Sequence, residues 1–330
     1  MPLAVILPAG MILIILSADY FTNGVEWLGF SWGLGEGVVG SLLAALGTAL
    51  PETLVPAVAI IAGSHVPGQG AIGLGAILGA PLMLSTLGFS IIGLGLWTSG
   101  RRRDGLRLGD ASTRRDLGFF VGAFFLAVVA SWLPTGFHRG VAIVLVGGYV
   151  LHAVRLVRAA GQEDREGPRS PEQPLHLFHG NHPPLLLQVF QVGLALFGLI
   201  VGAHFFVAAL DHLSRRVRIP GFLLSVVITP VATELPEVLN SIIWIRRGRD
   251  GLALGNVTGA MAFQASLVPA LGLVWTPWRL SGWELVTAAT ALTAAIWLWV
   301  RSGDRVLQFS ELMFAGGLYL AFILLIAAQI

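Results

Sequence analysis

VATELPEVL (residues 231–239) sits inside a long apolar run and yet carries two glutamates, Glu234 and Glu237, on either side of Pro236. In hydrocarbon a charged side chain costs on the order of 2.5–3.5 kcal/mol on insertion scales, and a proline inside a helix removes a backbone hydrogen bond. The same two liabilities recur in LGTALPETL (46–54). With the two stretches superposed, Thr48 meets Thr233, Leu50 meets Leu235, Pro51 meets Pro236 and Glu52 meets Glu237. At the same offset Ala18 meets Ala203, Phe21 meets Phe206 and Leu28 meets Leu213. Downstream, after one loop of different length, LGAILGA (74–80) aligns with LGNVTGA (254–260). The chain is an internal repeat, and each half carries the costly motif.

The chain has 330 residues, 55% of them hydrophobic and 12% charged, with a mean hydropathy of +0.80. That balance excludes a soluble domain and identifies an integral membrane protein. About ten apolar stretches suit a roughly 30 Å hydrocarbon core. They are 3–22, 37–63, 70–98, 117–133, 140–157, 185–212, 221–245, 252–276, 282–300 and 307–329. The one extended polar segment, 158–184, is rich in Pro, Gly and charge. It reads as a cytoplasmic linker between a first membrane repeat, 1–157, and a second, 185–330. Each half has an odd number of spans, so the second enters the membrane in the opposite sense. The expected fold is an all-α integral membrane protein of about ten transmembrane helices in two inverted five-helix repeats, the architecture of secondary transporters.

The arginines test this count. All 20 basic residues are arginine, and with both termini outside only Arg139, Arg215, Arg216, Arg218 and Arg279 fall on the outer side. The remainder are cytoplasmic, the bias expected of a correct topology. RRRDGLR (101–107) is then a topology signal, and the formal net charge of +2 carries no nucleic-acid signature. Met1–Leu16 lacks a charged n-region and a cleavage site and is expected to belong to the first span. The expected location is the bacterial or archaeal cytoplasmic membrane. With no cysteine, disulfides, thiolate metal sites and cysteine nucleophiles are excluded.

Pro51 cannot donate to the carbonyl of Gly47, nor Pro236 to that of Ala232, so each helix is expected to open near its Thr and Glu. Thr48 and Glu52 share a helix face at i and i+4, as do Thr233 and Glu237. Brought together at a pseudo-two-fold axis, these hydroxyls, carboxylates and freed carbonyls form an all-oxygen cage suited to a hard cation such as Ca²⁺ or Na⁺.

At these residues the sequence resembles the calcium/cation antiporter superfamily, which includes the sodium/calcium exchangers. Its two alpha repeats each carry a G-T-S-L-P-E-like stretch and then a G-N-x-x-G-S-N-x-x-N/D-like helix. Here the first elements read GTALPE (47–52) and ATELPE (232–237), and the second read GAILGAPLML (75–84) and GNVTGAMAFQ (255–264). The resemblance implies that Glu52 and Glu237 are the central cation ligands, with Thr48 and Thr233 adding oxygens. The family's motif serines fall on Ala49, Glu234, Ala80 and Ala260, and the polar residue closing the second element is Leu84 in the first half but Gln264 in the second. Most neutral oxygens of a multi-sodium exchanger are therefore missing, while a third carboxylate, Glu234, is added. Gln264 and Glu234 complete the expected ligand set.

Three adjacent carboxylates cannot all stay ionised without a cation. The function read from the sequence is therefore a secondary active antiporter that moves a divalent cation, Ca²⁺ first, by alternating access in exchange for protons. A sodium/calcium exchanger with altered sodium sites and a cation channel are the alternatives. No cofactor beyond the transported cation and its H⁺ or Na⁺ counter-ion is expected. The partners are inorganic cations and the bilayer, and the oligomeric state is left open. H-E-x-x-H does not occur, and the one G-x-S-x-G, GFSWG (29–33), lies between two apolar spans rather than between a strand and a helix, so an enzyme is not expected. Asp19 and His204 occupy equivalent positions, where they could relay protons or make a polar contact. Asn240, three residues after Glu237, could face the same cavity. HLFHGNH (176–182) reads as a solvated part of the linker rather than a metal site, and glycine runs such as GEGVVG (35–40) read as close helix packing.

Overall fold

A computed structural model describes residues 3–32, 44–63, 66, 68–101, 105–108, 112–160, 171, 173–178, 180 and 183–329; for residues 3, 4, 44–48, 157, 159, 160, 235–237 and 240 it describes the backbone alone. The helices are α1 (Leu3–Ser31), α2 (Ala44–Gly63), α3 (Gln69–Met83), α4 (Phe89–Thr98), α5 (Ser112–Val129), α6 (His138–Ala160), α7 (Leu185–Val217), α8 (Gly221–Arg246), α9 (Asp250–Gln264), α10 (Leu267–Trp275), α11 (Trp283–Arg301) and α12 (Phe309–Ala327). A π-helical turn, Leu84–Gly88, joins α3 to α4 in one span, and a short break joins α9 to α10 in another. Among the described residues eight helical segments are long and apolar enough to cross a membrane, and the apolar stretches Ala49–Gly63 of α2 and Gly221–Glu234 of α8 make ten. The fold is the expected all-α bundle of two inverted five-helix repeats.

The equivalent helices α1 and α7 lie antiparallel along their length. A Cβ built on Gly24 would meet Val192, one on Gly198 would meet Ser17, and one on Gly10 would meet Phe206. Small residues let the two backbones approach closely, as membrane helix pairs require. α1 runs nine residues past its expected end because its extension is not lipid-facing: Asn23 and Trp27 donate to the carbonyls of Pro174 (3.1 Å) and Gln173 (3.0 Å), binding the linker to the helix. Gln191 of α7 closes the same corner, donating to Asn23 Oδ1 at 2.9 Å and accepting from the Leu177 amide at 2.9 Å.

Two prolines behave differently from expectation. Pro51 and Pro236 lie within the continuous helices α2 and α8, whereas the helical irregularities fall in the next spans, at 84–88 and after Gln264. A missing N–H costs one bond, and a helix absorbs it by bending while its neighbours hold it in place.

Two related helix crossings frame the centre. On α3, a Cβ at Gly75 would lie 2.6 Å from the Phe222 carbonyl and one at Gly79 would lie 2.7 Å from that of Val226. α3 and α8 are therefore in backbone contact, with Ser225 Oγ donating to the Ile72 carbonyl at 2.7 Å. The repeat-equivalent residues on α9, Gly255 and Gly259, meet nothing within 4 Å among the described residues. The end of the bundle carrying the linker is also pinned by ion pairs and by β1 (Leu106–Arg107) against β2 (Val306–Leu307). Arg101 bonds both Asp250 oxygens at 2.8 Å, and Arg301 pairs with Glu311.

Candidate functional site

α8 brings Glu234 into the middle of the bundle, where it is fully buried. Its Oε1 accepts from Thr233 Oγ1 at 3.0 Å and its Oε2 from Gln264 Nε2 at 2.8 Å. Glu52, carried in from the other repeat by α2, is 4% exposed, and its carboxyl lies within hydrogen-bonding range of that of Glu234. The two repeats thus meet carboxyl to carboxyl. Two such groups repel when both are bare, and they become compatible with a proton between them or a cation bound to them.

Of the expected ligands, Glu52, Thr233, Glu234 and Gln264 converge on this point. Glu237, Thr48 and Asn240 lie on the helices α8 and α2, and their side chains lie outside the described residues. Gln264 closes α9 at the break before α10, so its side chain enters the centre as the helix ends. Its amide nitrogen is used by Glu234, while its Oε1 is buried and has no hydrogen-bond partner among the described residues. A buried oxygen with free lone pairs beside two carboxyls is the donor type a hard cation takes. At the positions of the missing neutral oxygens, Ala49 and Ala80 are buried and Ala260 is partly buried. Those walls carry methyl groups.

Other expectations are redirected. Asp19 does not face His204: its Oδ2 lies 2.9 Å from His176 Nε2 of the linker, and the His204 ring is exposed beside Phe205. His176 is consequently docked against α1, with its ring 4.7 Å from that of Tyr20, rather than solvated. His179 and His182 lie outside the described residues. Among residues that sequence reasoning passed over, Tyr149 of α6 packs edge-on against Phe263 at 5.5 Å and stands in the electrostatic field of Glu52. Asp116 also escaped, because the hydropathy window begins its span at 117 while α5 begins at Ser112.

A family model described as sodium/calcium exchanger protein matches residues 2–158 and 187–330. The putative antiporter CaxA of Alkalimonas amylolytica is 25% identical over 275 residues, covering 81% of this chain and 79% of that one. The crystal structure of the H⁺/Ca²⁺ exchanger CAX superposes with a TM-score of 0.76 at 19% identity, over 98% of this chain and 81% of that one. The sodium–calcium exchanger NCX_Mj superposes at 0.60 with 20% identity, over 98% and 99%.

Proposed function

This chain belongs to the sodium/calcium exchanger protein family, and from that premise we propose that it is a divalent-cation antiporter, Ca²⁺ first, that returns protons. The observation that carries the reading is Glu234: fully buried, held by Thr233 and Gln264, and within hydrogen-bonding range of Glu52. A cation bound between Glu52, Glu234 and Glu237 neutralises them, with Thr48, Thr233 and the free Gln264 oxygen completing the coordination. When it leaves, the carboxyls remain buried, and protons are the smallest charges that restore neutrality. The alanines at 49, 80 and 260 supply no oxygen to sodium, so sodium is a poor returning ion. The two relatives of solved structure, one named for H⁺ and one for sodium, mark the alternatives within one fold.

The test is Ca²⁺ flux in sealed proteoliposomes with the membrane potential clamped. A pH gradient should drive uptake, and apparent affinity should weaken as pH falls, because protons compete for the same carboxylates. Flux driven by sodium and indifferent to the pH gradient overturns the proton-coupled reading; flux with no counter-ion dependence favours a channel.

A further inference from the structure

Away from the centre, α5, α6 and α9 enclose a second ionisable cluster. Asp116 of α5 is 3% exposed; its Oδ2 accepts from Thr258 Oγ1 of α9 at 2.8 Å, and its Oδ1 lies 3.1 Å from His152 Nε2 of α6. The imidazole stacks on Phe119, with centroids 4.5 Å apart. We propose that Asp116 and His152 form a proton-holding site in the linker-side half of the membrane, through which protons pass between that side and the central carboxyls. This rests on the proton-coupled reading above.

The cluster joins the two places a proton must connect. His152 lies toward the linker end of α6, and Tyr149, three residues earlier on the same helix face, reaches Phe263 beside Gln264 and the field of Glu52. Thr258 belongs to the GNVTGA stretch of α9, the helix that ends on Gln264. Ionisable side chains within spans are costly to keep, and a carboxylate–imidazole pair has a place for one proton: with the proton it is an ion pair, and without it a carboxylate still hydrogen-bonded by a hydroxyl. One proton enters on the imidazole and one leaves toward the centre, so charge balances.

Other described charges around the pair are accounted for. On α5, Arg114 turns toward Gly303 and Arg115 is exposed. On α6, Arg155 is exposed; on α9, Asp250 is held by Arg101. α11 packs Trp299 near Gly118 and commits Arg301 to Glu311 and Asp304, while α10 offers no ionisable group. None of these displaces His152 as the partner of Asp116.

The experiment measures Ca²⁺ flux in vesicles while pH is varied on one face at a time, for the unmodified chain, His152→Gln and Asp116→Asn, together with equilibrium Ca²⁺ binding. The expected result is that His152→Gln keeps Ca²⁺ affinity but lowers flux on the order of 100-fold, the lower end of what a positioned proton donor contributes, and loses dependence on linker-side pH. A purely structural clamp changes stability or flux without altering that pH profile. If the unmodified chain ignores pH on both faces, the proton-coupled reading itself falls. If it responds and both variants keep its profile, only the present inference falls. Should the variants fail to fold, histidine nitrogen NMR of the unmodified protein decides: His152 must change protonation state over the pH range in which flux changes, and an imidazole fixed in one state throughout overturns the proposal.

Discussion

The two repeats are copies of one another in their central motifs and unequal in what those motifs hold. Gly75 and Gly79 press α3 against the backbone of α8, while the counterparts of Phe222 and Val226 in the other repeat, Gly37 and Ser41, lie outside the described residues. Two inverted repeats that carry one motif are what a carrier needs if exchanging their states moves access from one side to the other. The ligands are uneven as well: the described side chains of the first repeat bring only Glu52 to the centre, and those of the second bring Thr233, Glu234 and Gln264.

The largest effects test what the repeats share. Glu52→Gln and Glu237→Gln are each expected to lower Ca²⁺ transport at least about 100-fold, beyond the loss typical of outer-shell partners of a metal, with the protein still monodisperse in detergent. Near-normal flux in either variant removes that residue from the centre.

The crossings are separated by alanine. In an open helix, Gly→Ala stabilises by up to about 1 kcal/mol, but at Gly79 the new methyl would stand 2.7 Å from a backbone oxygen that cannot swing aside. Overpacking of about 1–3 kcal/mol should win there, and Gly79→Ala should melt earlier than the unmodified chain. Gly259→Ala, with no described atom within 4 Å of the new methyl, should melt closer to the unmodified chain than Gly79→Ala does. Equal melting of the two variants would remove the packing difference.

Smaller effects come from the uneven ligand set. Gln264→Leu, which gives the second repeat the residue of the first, should weaken Ca²⁺ binding about 10-fold, since it removes both the free oxygen and a donor to Glu234. The reverse change, Leu84→Gln, should leave affinity nearly unaltered and cost on the order of 1–3 kcal/mol of stability by burying an amide, because Leu84 is fully enclosed in the π turn. Affinity measured by calorimetry and melting measured by fluorescence separate the two outcomes.

Much of this was legible in the sequence for a physical reason: membrane spans are read from length and apolarity, and a repeat that keeps a proline and a glutamate in hydrocarbon is conspicuous against Leu and Ala. Glu52 stood out on superposing the halves, whereas Glu234 and Gln264, which face Ala49 and Leu84 in that superposition, stood out only against the family's motifs. Side-chain pairing across distant helices was less legible. Apolar spans carry little facial periodicity, so neither the Asp116–His152 contact nor the docking of His176 on Asp19 could be read from spacing. The prolines misled because composition reveals a lost hydrogen bond and not whether the surrounding helices keep the segment helical.

The central claim is that Glu234 makes the site exchange a divalent cation for protons, and proton release on binding tests it most directly. Ca²⁺ should be titrated into the purified protein by calorimetry in two buffers of different ionisation enthalpy, for the unmodified chain and for Glu234→Ser. Binding should release protons from the unmodified chain, fewer from Glu234→Ser, and sodium should compete more effectively with Ca²⁺ in that variant. Ca²⁺ binding that releases no protons from the unmodified chain, at any pH where it binds, would contradict the account.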